Sequence, residues 1–172
     1  DGKFAKYINS PETEFYKKGN IIFNLDKAKE CRADTEEVII VEGYMDVVSL
    51  FSRGLKNVIS NSGTALTERQ ISLIWRFFSS PTICLDGDES GQKAAYRIAE
   101  KLFPFINEKN KIFFSIMPEG NDPDDFVRKN GIESYKNLLK EKKVIQSFIW
   151  DYNLNKINKS NPFEVSSFEK EI

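Results

Sequence analysis

The stretch from Val38 to Asp46 reads VIIVEGYMD and decides the fold. Its first four residues are an unbroken run of β-branched side chains, which is typical of a strand buried on both faces. A helical pattern follows from Asp46 to Arg53, and Gly54 then occupies the position at which glycine commonly ends a helix. This order predicts a buried strand that leads directly into a helix.

The alternation of strand and helix continues along the chain. A capping-box sequence at Thr67–Gln70 predicts the start of a helix that Pro81 would end, and helical spacing returns from Glu89 to Phe103. Such short intervals are typical of βαβ units around a parallel sheet. We therefore expect an α/β fold with a four-stranded, mainly parallel sheet flanked by helices, the strands lying at 38–41, 57–60, 82–85 and 112–117.

The chain changes character on both sides of this alternating part. After Pro118 only helical patterns remain, and the first residues mix a turn with a short helical stretch near 24–32. Because the chain opens with Asp1-Gly2-Lys3 and no Met, we expect it to be a piece of a longer protein. We expect three parts, an N-terminal piece at 1–37, an α/β domain at 38–125 and a helical segment at 126–172. The helical patterns after Pro118 lie near 123–130, 133–142 and 144–157.

Composition excludes several classes of function. The 172 residues carry a net charge of −1, so bulk positive charge does not hold nucleic acid. The chain has no histidine, which excludes histidine-based catalytic triads and zinc sites that use histidine. The two cysteines, Cys31 and Cys84, lie too far apart for a CxxC pair, so we expect a reducing, cytoplasmic compartment. No apolar run approaches the length needed to span a membrane, and the start does not resemble a signal peptide.

Acidic residues follow three of the four predicted strands. In an open parallel sheet, ligands bind beyond the carboxyl ends of the strands, so these side chains are expected at one edge. Clustered carboxylates repel one another and need a compensating cation, for which Mg²⁺ or Mn²⁺ is the natural choice. The candidate residues are Glu42 and Asp46 after the first strand, Asp86 and Asp88 after the third, and Asp122 and Asp124 after the fourth.

Helix capping is the alternative explanation for several of these residues. Asp122 precedes Pro123, a favoured first helical residue, and Asp88 and Asp46 also stand near predicted helix starts. Glu42 is harder to explain in this way, since a carboxylate that ends an apolar strand is poorly solvated unless something binds it. Each motif alone is a weak signal, whereas their order along the chain is a strong one.

The segment from Val38 to Asp125 resembles a Toprim domain, the fold shared by topoisomerases, primases and some nucleases. Three local sequences narrow the likeness to the catalytic core of bacterial DNA primases. They are KYINSPET at 6–13, VEGYMDVV at 41–48, and DPD at 122–124 followed by FVRK at 126–129. The first of these discriminates best, because other Toprim proteins lack it.

The resemblance implies a DNA-directed RNA polymerase of the primase type, which makes short RNA primers on a single-stranded DNA template from NTPs and a divalent metal. By their motif positions, Glu42, Asp86 and Asp88 would be central at the metal site. Glu42 would act there as a metal ligand or as a general base. The supporting acidic ring would comprise Asp46, Asp122 and Asp124, and the nucleotide and template groove would be lined by Lys6, Asn9 and Lys18, for which an ordinary solvated surface position is the alternative.

The resemblance covers only part of such an enzyme. The zinc-binding domain, most of the polymerase subdomain and the helicase-binding domain would lie outside this chain, so we expect the isolated fragment to be inactive. Two alternatives stay open. One is a nuclease or topoisomerase domain of the Toprim type, for which Tyr44 would be the candidate nucleophile. The other is a module that binds metal and nucleotide without turnover.

Overall fold

A computed structural model describes residues 13–14, 17–61, 66–156, 163 and 165–166. Five strands lie within these residues: β1 (Ile39–Val41), β2 (Val58–Ser60), β3 (Thr82–Leu85), β4 (Phe113–Ile116) and β5 (Lys143–Val144). The α-helices of the same residues are α1 (Leu25–Lys29), α2 (Tyr44–Ser52), α3 (Glu68–Trp75), α4 (Glu89–Leu102), α5 (Pro123–Asn130), α6 (Ile132–Lys140) and α7 (Ile145–Leu154). Two short 3-10 helices, Lys18–Asn20 and Phe103–Phe105, complete them.

The sheet has the order β2-β1-β3-β4-β5. The four strands expected from the sequence are present and pair in parallel. A fifth strand, β5, adds to β4 in antiparallel orientation through Phe113–Val144 and Phe114–Lys143 pairs. The sequence predicted a helix from residue 144, but α7 begins one residue later. A two-residue exposed edge strand is too short to produce an alternating pattern, so its pairing is visible only in the folded sheet.

Helices cover both faces of the sheet, which explains why the inner strands are apolar throughout. On one face, α3, α4 and α7 pack against buried residues such as Ile40, Ile83 and Phe114. On the other face, α2, α5 and α6 pack against Ile39, Val41 and other residues of the second cluster. The α/β Toprim-type fold expected from the sequence is confirmed. Among the described residues, no helix is both long and apolar enough to span a membrane.

Several local signals act as the sequence predicted, but Pro81 does not end α3, which already ends at Trp75. The Thr67 side chain accepts a hydrogen bond from the Gln70 backbone amide and caps α3. Gly54 follows α2 with φ of 95°, a left-handed conformation that glycine adopts without a steric penalty. Pro123 is the first residue of α5, where its missing N–H costs nothing. Of these residues, Pro123 directly follows Asp122, so it places the start of α5 beside one of the candidate carboxylates.

Candidate functional site

Glu42 and Asp86 lie on either side of the point where the sheet changes its direction of winding. The chain leaves β1 toward β2 on one side, whereas it leaves β3 toward β4 on the other, and β1 and β3 are neighbours. The loops beyond two such strands diverge and leave a crevice at their carboxyl ends, which is where ligands bind in open α/β sheets. Glu42 follows β1 and Asp86 follows β3, and both are half-buried.

Asp86 is the electrostatic centre of the acidic residues. Burial, and to a smaller extent the charges of nearby carboxylates, raise its pKa from 3.8 to about 7. These carboxylates come from three separate segments of the chain, so the fold brings four of the other five predicted acidic residues close enough to influence Asp86. In order of their effect on Asp86, they are Glu42, Asp46, Asp122 and Asp88.

Two further carboxylates on the β1 side have raised pKa values. Burial raises the pKa of Glu42, the Asp88 carboxylate adds to the rise, and the backbone amide of Asp86 opposes it. Burial and then the Asp122 charge raise the pKa of Asp46 to about 6, against the backbone amides of Gly43 and Asp124. Since each rise measures the cost of ionising a crowded carboxyl group, a cation at this edge would relieve it.

Two of the acidic residues cap helices, as the alternative explanation proposed. The Asp88 carboxylate accepts a hydrogen bond from the Gly91 backbone amide at 2.6 Å and caps α4. The Asp122 carboxylate accepts one from the Asp125 backbone amide at 2.6 Å and caps α5. Asp46 is not the N-cap residue of α2, because that helix begins at Tyr44, two residues before the predicted start. Asp46 instead stands in the first turn and accepts from the Gly43 backbone amide at 3.1 Å.

The carboxylate of Asp124 is held by α2. The Ser49 hydroxyl donates a hydrogen bond to Asp124, and Arg53 Nη1 lies 3.9 Å from Asp124 Oδ1. Arg53 also donates to the backbone oxygen of Ser49 at 3.0 Å. Sequence reasoning missed Ser49 and Arg53. Their i, i+4 spacing places them on one face of α2, but no local pattern links that face to residue 124, which lies 75 positions from Ser49.

A family model described as Toprim-like matches residues 39–127, which include every acidic residue of this edge. The chain belongs to the Toprim-like family. This Toprim chain is 39% identical to the DNA primase of Pseudomonas aeruginosa over 131 residues, 76% of its own length and 20% of that protein's. It is 33% identical to the DNA primase of Escherichia coli over 157 residues, 91% of its own length and 27% of the relative's.

Solved structures show the same likeness. The Toprim chain superposes on a structure of the DnaG primase catalytic domain bound to single-stranded DNA with a TM-score of 0.87 and 30% identity. That match covers 98% of this chain and 53% of the other. The resemblance to the catalytic core of bacterial DNA primases is therefore confirmed. The chain spans about a quarter or less of the length of the two curated relatives.

The carboxyl edge of the sheet, with the acidic residues that follow β1, β3 and β4, offers the oxygen ligands that a hard cation prefers. Its side chains offer only oxygen atoms, and Asp46 and Asp86 carry the raised pKa values of crowded, partly buried carboxyl groups. Within the described ranges, no three acidic or cysteine side chains are gathered closely enough to hold an ion as they stand. Mg²⁺ normally keeps several waters and shares substrate phosphates, so one or two of these carboxylates suffice for it.

The three predicted nucleotide-contacting residues are not placed relative to this edge. Lys6 and Asn9 lie outside the described residues. The backbone of Lys18 belongs to a 3-10 helix, but its side chain is outside the described part. Their assignment to the nucleotide and template groove stays a prediction.

Proposed function

We propose that this Toprim chain belongs to the catalytic core of a bacterial enzyme that makes short RNA primers on single-stranded DNA. The observation that carries the proposal is that Glu42 and Asp86 lie next to each other at the crevice between β1 and β3. The chain that places them there is similar to primase cores over nearly its whole length. Primer synthesis would take place at the replication fork in the cytoplasm and would use NTPs as substrates. A replicative helicase would be a partner of the complete protein.

Glu42 and Asp86 would hold Mg²⁺ or Mn²⁺, supported by Asp88. The bound ion would offset the charge of a triphosphate and lower the pKa of an attacking primer hydroxyl. Glu42 has a second possible use as a general base, because its raised pKa suits a group that accepts a proton from that hydroxyl. Both uses need a carboxylate at the end of β1.

Three residues would support the central carboxylates. Asp122 caps α5, and this hydrogen bond fixes the position of its own carboxylate. Its charge also raises the pKa of Asp46, which makes ionisation of Asp46 less favourable. Asp46 and Asp124 join α2 to α5, since the backbone amide of Asp124 faces Asp46. In the complete enzyme, Lys6, Asn9 and Lys18 would face the nucleotide and template. Zinc would belong to a separate domain of that enzyme.

The test is primer synthesis by the full-length protein on single-stranded template with labelled NTPs and Mg²⁺. We expect Glu42→Gln, Asp86→Asn and Asp88→Asn to reduce synthesis far more than Asp125→Asn. Asp125 is a matched control, because it lies in the first turn of α5, close to Asp122 in the chain, but pairs with Arg128 of the same helix. Near-normal synthesis by a folded Asp86→Asn enzyme would contradict the proposal.

The isolated 172-residue chain should synthesise little or no primer, because template, two nucleotides and metal must be held together for reaction. Orientation of reactants alone can supply about 7–11 kcal/mol of a reaction barrier. Robust synthesis by the isolated chain would contradict this expectation. Plasmid nicking by the full-length protein, in place of synthesis, would favour the nuclease or topoisomerase alternative.

A further inference from the structure

Two exposed aromatic rings lie beside the acidic edge, which is the carboxyl edge of the sheet that carries Glu42 and Asp86. Phe23 and Tyr44 are each 39% exposed, and their ring centroids are 6.2 Å apart in an edge-to-face arrangement. Tyr44 comes two residues after Glu42, at the start of α2. Phe23 pairs with Ser60, the last residue of β2, and so lies at the carboxyl end of the edge strand whose other neighbour is β1.

Hydrogen bonds hold the backbone near both rings. Phe23 donates to the Ser60 carbonyl at 2.8 Å and accepts from the Ser60 amide at 3.3 Å. Gly43, the residue before Tyr44, is fixed by its hydrogen bond to Asp46. Met45 and Val48 extend the exposed apolar surface along α2. An aromatic side chain has only two side-chain torsions, so two rings on a fixed backbone lose little conformational freedom when a flat ligand stacks on them, which favours binding.

We propose that Phe23 and Tyr44 form a stacking platform for the base of a nucleotide whose phosphates lie at Glu42 and Asp86. This inference rests on the proposed function and names a subsite within it. The acidic edge repels phosphate unless a cation is present, whereas stacking on a neutral ring requires no charge compensation. An aromatic surface next to carboxylates therefore fits a nucleotide, which joins a flat base to phosphates through a single sugar.

The edge-to-face geometry suits this use. In this pair the ring planes meet at 68°, so a flat base would stack on one of the two rings while the other lies at its edge. Every nucleobase has a π face, so the platform would accept all four NTPs with little discrimination. Sequence selection would then depend on the template.

The experiment uses the full-length protein with Mn²⁺ and the fluorescent nucleotide 2-aminopurine riboside triphosphate, whose emission is quenched when its base stacks. Tripolyphosphate is the baseless probe. We expect Tyr44→Leu and Phe23→Leu to weaken 2-aminopurine nucleotide binding about 5- to 150-fold and to lose quenching, with tripolyphosphate affinity unchanged. Tyr44→Phe keeps a ring and should bind like the wild type.

Phe103→Leu is the matched control, since Phe103 is also an exposed aromatic residue, 47% exposed, but follows the far end of α4. It should change neither affinity nor quenching. Unchanged nucleotide affinity in both leucine variants would overturn the platform, as would an equal loss for nucleotide and tripolyphosphate. Altered self-association or domain contacts, with nucleotide binding intact, would assign the surface to protein packing and also overturn it. In each case the Asp86→Asn primer assay tests the proposed function separately.

Discussion

Gly87 lies against the carbonyl oxygen of Pro118, so close that a Cβ atom at Gly87 would fall 2.2 Å from it. The Gly87 amide also donates to the Asn121 carbonyl at 3.1 Å. Glycine at the centre of the Asp86-Gly87-Asp88 turn thus allows the segment after β4 to approach the end of β3. This approach brings Asp122 near Asp86, because Asp122 directly follows Asn121 in the chain.

Gly87→Ala should destabilise the fold by about 1–3 kcal/mol, because the clashing atoms belong to backbone that cannot move aside easily. Urea unfolding followed by circular dichroism measures the change. Gly19→Ala is the matched control, since its Cβ would meet only a side-chain carbon of Thr67 at 3.7 Å, an ordinary contact. Equal stability of the two variants would contradict the explanation for Gly87.

Asp86→Asn should stabilise the metal-free protein above neutral pH. The pKa of Asp86 is raised in the folded state, so its contribution to stability is complete below pH 3.8 and is lost as pH rises toward about 7. The asparagine variant has no such loss, so its advantage over the wild type should grow between pH 4 and 8. Thermal unfolding across this range, in the presence of EDTA, measures the difference.

Added Mn²⁺ should reduce that advantage by stabilising the wild type more than the variant. Asp125→Asn, on the exposed side of α5, serves as the control and should show no comparable pH-dependent gain. If the difference in stability between Asp86→Asn and wild type stays constant from pH 4 to 8, then ionisation of Asp86 costs no more in the folded protein than in the unfolded chain.

Asp88→Asn and Asp88→Ala should separate capping from charge. Asparagine keeps an oxygen that accepts from the Gly91 amide, so Asp88→Asn should unfold close to wild type. Alanine removes the cap and should cost about 1 kcal/mol in urea unfolding. Both variants should weaken Mn²⁺ binding measured by calorimetry. Full Mn²⁺ affinity in the folded Asp88→Asn variant would leave capping as the sole role of this residue.

The contact between Ser49 and Asp124 should be energetically coupled. In a double-mutant cycle of Ser49→Ala and Asp124→Ala, we expect a coupling energy of about 0.5–1.5 kcal/mol, because the hydrogen bond joins two helices and its acceptor is charged. The comparison cycle is Asp125→Ala with Arg128→Met, an exposed pair within one helix. That pair should couple by only about 0.2–0.5 kcal/mol. Coupling of Ser49 to Asp124 no greater than this would show that the bond does not join α2 to α5.

Local patterns were enough to predict most elements of the fold. The strand at 82–85 and the helix at 123–130 have the predicted bounds, because β-branched runs, Pro123 and Asp122 act over a few neighbouring residues. The order of acidic residues along the chain predicted which strand ends carry carboxylates. The short edge strand β5 was missed, since two residues carry no periodic signal.

Only the tertiary structure decided how these parts meet. The order of the strands in the sheet places β1 beside β3, so that Glu42 and Asp86 face one crevice. The sequence of a single strand does not indicate which strands will be its neighbours. Burial at that crevice, more than any neighbouring charge, raises the pKa of Asp86. The bond from Ser49 to Asp124 and the ring contact of Phe23 with Tyr44 likewise join residues distant in the chain. The sequence alone determined which chemical groups are available, whereas packing decided their distances and solvation, because both depend on residues brought together only by folding.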